Sequence, residues 1–324
     1  MSPLVSICLP NLNKISFLRE RLQSISSQTY QNWECIVCDG QSDDGSFELL
    51  KNWADSDSRI SLFSLPRIGI YPSWNACIEK TKGDYVYIAT SDDSMSEDCL
   101  EILVKAMEAN PKADWCHFPV KVIDQNGNTL GSPLSSAPAS HYYGDWMTKL
   151  HLRSGKKEAE RMCCLGSIYL SVTGLFFRNS SDLRFPKQYE EIGDFFYYLS
   201  TVQNKNVLYM PEPLATWRMY GNQATRPTSL RLKKQLRYLK EFIGNKEESK
   251  RPEFIQLFEF RQYSCHKQII RIKWGKLGQL VYMLTHRYGR KELGLILKSS
   301  ENPEQLIAQS LIDRNDIVEI PPLS

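Results

Sequence analysis

The first hundred residues predict an α/β protein built on a doubly wound, mostly parallel sheet. Two observations carry this. Short apolar runs alternate with stretches of helical spacing, in the order βαβαβαβ. Polar and acidic clusters follow directly behind the apolar runs, at the carboxyl ends of the strands, where such sheets bind ligands. Composition permits the fold. The 324 residues, 42% hydrophobic and 24% charged, suffice for one large domain with an appendage, or for two domains.

The elements follow in order. Residues 4–9 are an apolar run ended by Pro10 and Asn11. Residues 15–27 place Ile15, Leu18, Leu22 and Ile25 at helical spacing, with Ser16 as a candidate cap. Residues 33–38 are the second strand, and the turn Ser42-Asp43-Asp44-Gly45 opens a helix through Trp53. Strands at 60–63 and 85–89 flank a helix over 71–81. A further helix spans 96–110, with Ser96 as its cap, and 114–122 reads as one strand. Residues 124–145 are rich in Gly, Pro, Ser and Asn, with a hairpin expected at Asn126-Gly127. Strands at 171–177 and 206–210 flank a helix over 194–202. From residue 229 to 298 the pattern is helical, broken near 244–252 and at Gly275, and 299–324 is weakly patterned.

The net charge of +3 hides an asymmetry. Residues 226–298 carry 18 Lys and Arg against 6 Asp and Glu, a net of +12, and the remainder carries 22 against 31, a net of −9. A basic helical tail implies an anionic partner, such as a membrane surface or a charged acceptor, or else basic helices packed on an acidic body. Within it, residues 274–284 are apolar with Lys267, Arg271, Lys273, Arg287, Arg290 and Lys291 on the flanks. That pattern suits a helix lying in a membrane interface, or one packed on the catalytic body or a second subunit. Aromatics in the tail fall at helical core positions, so no nucleic-acid partner is expected. No run approaches the roughly 18 to 20 apolar residues that cross a bilayer, and residues 1–10 read as a strand, not a signal peptide. Both features point to the cytoplasm, with the inner face of the membrane as a peripheral site. The nine cysteines are scattered. Cys35 and Cys38 lie three apart on one strand and so face opposite ways, which favours buried reduced thiols over a redox or metal pair.

Three clusters lie at strand ends: Pro10-Asn11-Leu12-Asn13, Asp39 through Gly45, and Thr90-Ser91-Asp92-Asp93. A lone carboxylate there could be a helix cap, and Asp44 reads as one. Two adjacent aspartates behind a buried strand repel unless positive charge meets them. Oxygen ligands at that density suit Mg²⁺ or Mn²⁺ held jointly with substrate phosphates. A Rossmann oxidoreductase is excluded, because residues 10–18 contain no glycine where its phosphate loop needs three.

Together these fragments resemble the large family two of inverting nucleotide-sugar glycosyltransferases, which have the GT-A fold. The matching residues are Val5 through Asn13, Ser27-Gln28-Thr29-Tyr30, Glu34 through Gly40, Ser42 with Asp44-Gly45-Ser46, Gly69-Ile70-Tyr71 with Asn75, and Gly83-Asp84-Tyr85 leading into Ser91-Asp92-Asp93. The close likeness covers roughly residues 3–110 and continues more weakly to about 226. It implies a catalytic domain over 1–226, with a nucleotide-sugar half at about 1–110 and an acceptor half at about 111–226. Residues 227–324 then form a basic, mainly helical extension.

The resemblance also implies roles. Asp39 matches the aspartate that hydrogen-bonds the donor base, usually uracil. Pro10, Asn11 and Asn13 match the loop along the nucleoside, and Arg67 lies in the segment flanking base and ribose. Asp92 and Asp93 match the region that binds metal and diphosphate. With Thr90 where the family has its first acidic residue, Asp93 is expected to coordinate the ion and Asp92 to lie nearer the ribose or sugar. Asp194 aligns with the base that deprotonates the acceptor hydroxyl, with Glu190 and Glu191 as competitors and a helix cap as the structural alternative. Arg218 matches an arginine near the diphosphate, or is a surface or ion-pair arginine. Four places depart from the family: Thr90, Pro72 after Gly69-Ile70-Tyr71, Gly40-Gln41 in place of the commonest Asp-Gly pair, and Gly193 where an acidic residue is common. The implied activity is a hexosyltransferase. It would move a sugar from a nucleotide-diphosphate donor, UDP-linked, to a saccharide or lipid-linked acceptor with inversion, in cell-surface polysaccharide biosynthesis. A catalytically silent nucleotide-sugar-binding module is the alternative.

Overall fold

A computed structural model of the chain describes residues 2–131, 143–187, 192–221, 229–244, 252–290 and 317–321. Strands are β1 (Val5–Asn11), β2 (Trp33–Asp39), β3 (Ile60–Ser64), β4 (Tyr85–Ile88), β5 (Trp115–His117), β6 (Val120–Ile123), β7 (His151–Ser154), β8 (Leu175–Arg178), β9 (Asn206–Tyr209), β10 (Ala215–Arg218) and β11 (Ile317–Glu319). Helices are α1 (Ile15–Ser26), α2 (Ser46–Ser56), α3 (Ile70–Ile78), α4 (Cys99–Ala109), α5 (Gly155–Leu165), α6 (Gly193–Thr201), α7 (Ser229–Gly244) and α8 (Pro252–Thr285).

Nine strands form one sheet in the order β11-β7-β9-β5-β8-β4-β1-β2-β3. The pairings β1–β2, β2–β3, β1–β4 and β5–β9 are parallel, and β7 and β8 are antiparallel to their neighbours. Seven of the nine strands therefore point one way, and the mostly parallel sheet expected from sequence is present. The strands alternate between two cores, as period-2 geometry demands. Val5, Ile7, Leu9, Cys35 and Val37 face α1, α2 and α4. Cys8, Ile36 and Cys38 face α3, α5, α6 and α7. Cys35 and Cys38 thus lie on opposite faces, and all eight described cysteines are buried thiols.

Several local expectations change. The apolar segment 114–122 is two strands in two sheets, β5 in the main one and β6 paired with β10. Pro119 lies at the break, because its ring removes the N–H that a continuous ladder needs. Residues 171–177 begin with a 3-10 turn, Val172–Gly174, before β8. Neither Ser16 nor Ser96 caps a helix. Lys14 and Asp98 hold those places. Asp44 is the capping side chain, accepting from Ser46 N at 3.0 Å and from Ile15 N at 3.0 Å, so it ties the starts of α1 and α2 together. The hairpin at Asn126-Gly127 is present, closed by Asp124 N–H donating to Asn128 O at 2.9 Å.

The tail is joined to the body. Leu239 and Ile243 of α7 enter one main core, and β11 extends the sheet beside β7. The boundary near 226 lies outside the described residues. The helical run α8 is not a straight rod. Tyr263 and Tyr282 are 19 residues apart, about 28 Å along a straight helix. Their ring centroids are 5.7 Å apart, and Tyr263 also stacks on His286 at 4.7 Å. Glu259 pairs with Arg287 across the same fold-back. The run therefore doubles back midway, in the region where the sequence predicted a break at Gly275. No helix among the described residues is long and apolar enough to cross a membrane.

Candidate active site

The carboxyl ends of β1, β2 and β4 place the three clusters on one sheet edge. Asp39, the last residue of β2, is fully buried. Its Oδ1 accepts from Asn11 Nδ2 at 2.8 Å and from Ser42 Oγ at 2.7 Å, and its Oδ2 accepts from Ser42 N at 2.9 Å. Asn11 Oδ1 is buried beside it with no hydrogen-bond partner. A buried acceptor left unmet costs about 1–3 kcal/mol, so it marks a place where a ligand N–H is welcome. Asn13 and Gln41 have φ of 52° and 55°, the left-handed region that non-glycine residues rarely enter. These turns bring the two loops together. Asn13 Nδ2 donates to Asp43 Oδ1 at 2.7 Å, while Asp43 N donates to Asn13 Oδ1 at 3.0 Å. Arg67 reaches the same place, donating to Asp43 Oδ2 at 2.6 Å and to Gln41 O at 3.1 Å. Pro10 O accepts from Ser91 Oγ at 2.6 Å, which links the first cluster to the third.

The two aspartates after β4 part ways. Asp93 is buried. Its Oδ1 accepts from Arg218 N at 2.7 Å, and its Oδ2 accepts from Thr90 Oγ1 and, at 3.4 Å, from Thr173 Oγ1. Burial first, and the charge of Asp92 second, push its carboxyl up to about 7, with buried Arg21 pulling the other way. Asp92 faces the opening, its side chain 17% exposed. Its Oδ2 meets Lys14 Nζ at 3.4 Å and accepts from Tyr220 OH at 2.5 Å. Lys14 Nζ also donates to Tyr220 OH. Burial and the Asp92 carboxylate keep the Tyr220 phenol protonated, a donor on this edge.

Arg218, expected near the diphosphate, is buried and engaged by the protein itself. It donates from Nε to Asp92 O at 2.8 Å, from one terminal nitrogen to Asp124 O at 3.2 Å, and from the other to Glu20 Oε2 at 2.5 Å. It clamps the Asp92 backbone, β6 and α1 together. The expectation of direct ion coordination by Asp93 likewise meets a carboxylate whose two oxygens already accept protein donors.

Asp194 stands in the first turn of α6. That helix leads into β9, which is parallel to β5, so its start shares the edge with Asp39 and Asp92. Its Oδ1 accepts from Tyr71 OH at 3.0 Å and from Phe195 N at 2.8 Å. Tyr71 is buried at the start of α3 and stacks on Phe185. Gly193 makes this approach possible, since a Cβ there would lie 2.7 Å from two Tyr71 ring carbons. The departure at 193 is thus matched to Tyr71. Glu190 and Glu191 lie outside the described residues.

Among the described residues no three His, Cys, Asp or Glu side chains converge as a metal cage. One open carboxylate does fit Mg²⁺ or Mn²⁺, which bind through one or two carboxylates plus substrate phosphates. Asp92 is that carboxylate. Sequence reasoning missed Lys14, Arg21 and Tyr220. Arg21 was the legible one: it interrupts the inward stripe of Leu18, Leu22 and Ile25, is fully buried, and donates from Nε to Thr90 O at 2.8 Å.

The chain as a whole is similar to known proteins. Residues 6–180 match the profile of glycosyl transferase family 2. An uncharacterized glycosyltransferase of Haemophilus influenzae is 38% identical over 129 residues, 40% of this chain and 51% of the relative. The putative teichuronic acid biosynthesis glycosyltransferase TuaG of Bacillus subtilis is 32% identical over 144 residues, 44% of this chain and 56% of the relative. The chain thus matches only about half the length of these relatives. Staphylococcus aureus TarS 1–349 in complex with UDP superposes with a TM-score of 0.61 at 14% identity, over 95% of this chain and 89% of that one. The mannosyltransferase PcManGT of Pyrobaculum calidifontis, in complex with GDP-Man and Mn²⁺, gives 0.55 at 14%, over 95% and 84%. With residues 6–180, more than half the chain, matched to the family and the fold superposed on these structures, this protein has the GT-A fold and belongs to glycosyl transferase family 2.

Proposed function

We propose that the chain transfers a hexosyl group from a nucleotide-diphosphate donor, UDP-linked, to a saccharide or lipid-linked acceptor with inversion, in polysaccharide biosynthesis. The observation that carries this is the shared edge: a carboxylate at a helix start, Asp194, opposite a base-binding cleft and an open carboxylate, Asp92. The UDP and Mn²⁺ in the two superposed structures and the teichuronic acid pathway in TuaG's name support the same reading.

In this mechanism Asn11 Oδ1 accepts the single ring N–H of the uracil, Asp39 orients that amide by accepting from Asn11 Nδ2, and Pro10, Asn13 and Arg67 line the nucleoside. Lys14 and the Tyr220 hydroxyl meet the diphosphate, and Arg218 positions Asp92 by holding its backbone. Asp92 would hold a Mg²⁺ or Mn²⁺ ion, which when bound would supply charge neutralisation for the departing diphosphate. Asp194 takes the proton from the acceptor hydroxyl as its oxygen attacks the anomeric carbon, and the bond from that carbon to the diphosphate oxygen breaks on the opposite face. Tyr71 donates to Asp194 Oδ1 and fixes the rotamer of the base. Asp93 stays inside, as a support for β10.

The test is a panel of UDP- and GDP-sugars read by thermal shift and nucleotide release, with and without Mn²⁺. A UDP donor that raises the melting temperature and is turned over is the expected result. Stabilisation without turnover of any donor would favour a silent binding module. No stabilisation by any nucleotide would sink both readings.

A further inference from the structure

The basic tail acquires a shape where α8 doubles back. The pairs Tyr263–Tyr282, Tyr263–His286 and Glu259–Arg287 are centred on residues near 273, so the turn lies there. At this tip Arg271, Ile272, Lys273, Trp274, Lys276 and Leu277 are all exposed. Trp274 is 70% and Leu277 74% exposed, more than any other large hydrophobic residue among those described. The returning arm adds exposed Val281 and Leu284. From residue 260 to 291 the sequence has eight Lys or Arg and no Asp or Glu. A large indole and leucine held in water among cations is the composition of an interfacial membrane contact.

The arm that carries the tip is anchored to the body. Its Cys265 and Ile269 form one buried cluster with Leu232 and Leu236 of α7. α7 in turn packs on α6, the helix whose first turn carries Asp194, where the Phe196 and Tyr238 rings lie 5.6 Å apart.

We propose that this hairpin tip is a docking surface for an anionic lipid bilayer, with Trp274 and Leu277 entering the headgroup boundary and Arg271, Lys273 and Lys276 meeting the headgroups. Charge decides the occupant. Two such tips would repel each other, whereas an anionic surface attracts every cation on them. The proposal goes beyond the transfer reaction and stands whether or not the donor reading holds.

The experiment is co-sedimentation of the full chain with vesicles of equal phosphatidylglycerol and phosphatidylcholine, and with vesicles of phosphatidylcholine alone. Binding at least about tenfold stronger to the anionic vesicles, weakened by salt, is expected. Trp274→Ser with Leu277→Ser, and separately Lys273→Glu with Lys276→Glu, should each lower that binding by about tenfold or more. The melting temperature of each variant serves as the folding control, because exposed substitutions leave stability nearly unchanged. Equal binding to both vesicle types, or binding unmoved by both variants, would overturn the proposal. So would a wild-type dimer, seen by sedimentation, that the variants dissolve while vesicles are ignored; that result would assign the tip to a second copy.

Discussion

Asp92 and Asp93 show how one step along a strand end divides two roles. The sequence places both at the site, and only packing decides which faces the opening. Asp93 is enclosed by Arg218 N, Thr90 and Thr173, while Asp92 is met by Lys14 and Tyr220. Thr90, an apparent defect in the acidic motif, is here a donor to the buried carboxylate. Asp92→Asn is therefore expected to lower kcat/KM by about 100-fold or more with little change in melting temperature, as loss of a transition-state charge contact does. Asp93→Asn is expected to do the reverse in kind: its main cost should be stability, on the order of 1–3 kcal/mol in a urea melt. Gly193 carries a second residue-scale expectation. Gly193→Ala forces the Tyr71 ring away from a Cβ that would sit 2.7 Å from it, and so loosens Asp194. A fall of about tenfold or more in kcat, with donor affinity unchanged, is the expected outcome in steady-state kinetics. An unchanged kcat would separate Tyr71 from the reaction. This link could not be read from sequence, because 122 positions separate Tyr71 from Gly193 and only the fold makes them neighbours.

At the scale of elements, what was legible followed the apolar period. The first four strands and the helices between them were read within a few residues of their ends. The segment carrying β7 and α5 was not read, for a physical reason: its inward positions are charged. Arg153 and Glu158 pair at 2.7 Å with both side chains fully buried, and Tyr143 donates to Glu158 at 3.0 Å. Arg153 also donates to His117 Nδ1 at 2.9 Å, which makes His117 a neutral acceptor. Such an inside defeats a search for hydrophobic stripes. It has a measurable consequence in His151, which stacks on Tyr209. Burial first, then the Arg153 charge, holds its imidazole down at about 3. A histidine depressed in the folded state contributes stability that is present above its unfolded value near 6.5 and is lost as pH falls towards 3. Between pH 7.5 and 5 its share of the loss is about 2 kcal/mol. Urea melts of the wild type and His151→Phe at both pH values check this. The wild type should lose about that much more than the variant. Parallel losses would mean that His151 charges freely in the fold.

For the molecule as a whole, residues 1–110 were more legible than the chain that follows. Their loops are short and their clusters sit where a parallel sheet must put them, at the ends of β1, β2 and β4. The later part of the chain is assembled from antiparallel strands, β7 and β8, and from α6, α7 and a folded-back α8, whose neighbours are far away in sequence. Yet the start of α6 shares the edge with the ends of β1, β2 and β4, and the proposed transfer rests on that: the donor cleft we propose on one side and a carboxylate held by Tyr71 on the other. The direct measurement is UDP release from the stabilising donor by the wild type and by Asp194→Asn, with UDP affinity determined on the same samples. If Asp194 is the base, the variant should bind UDP as tightly as the wild type and turn over about 10²–10⁴-fold more slowly. Equal turnover by the two proteins would contradict the assignment of Asp194 and, with it, the reading of this edge as the site of transfer.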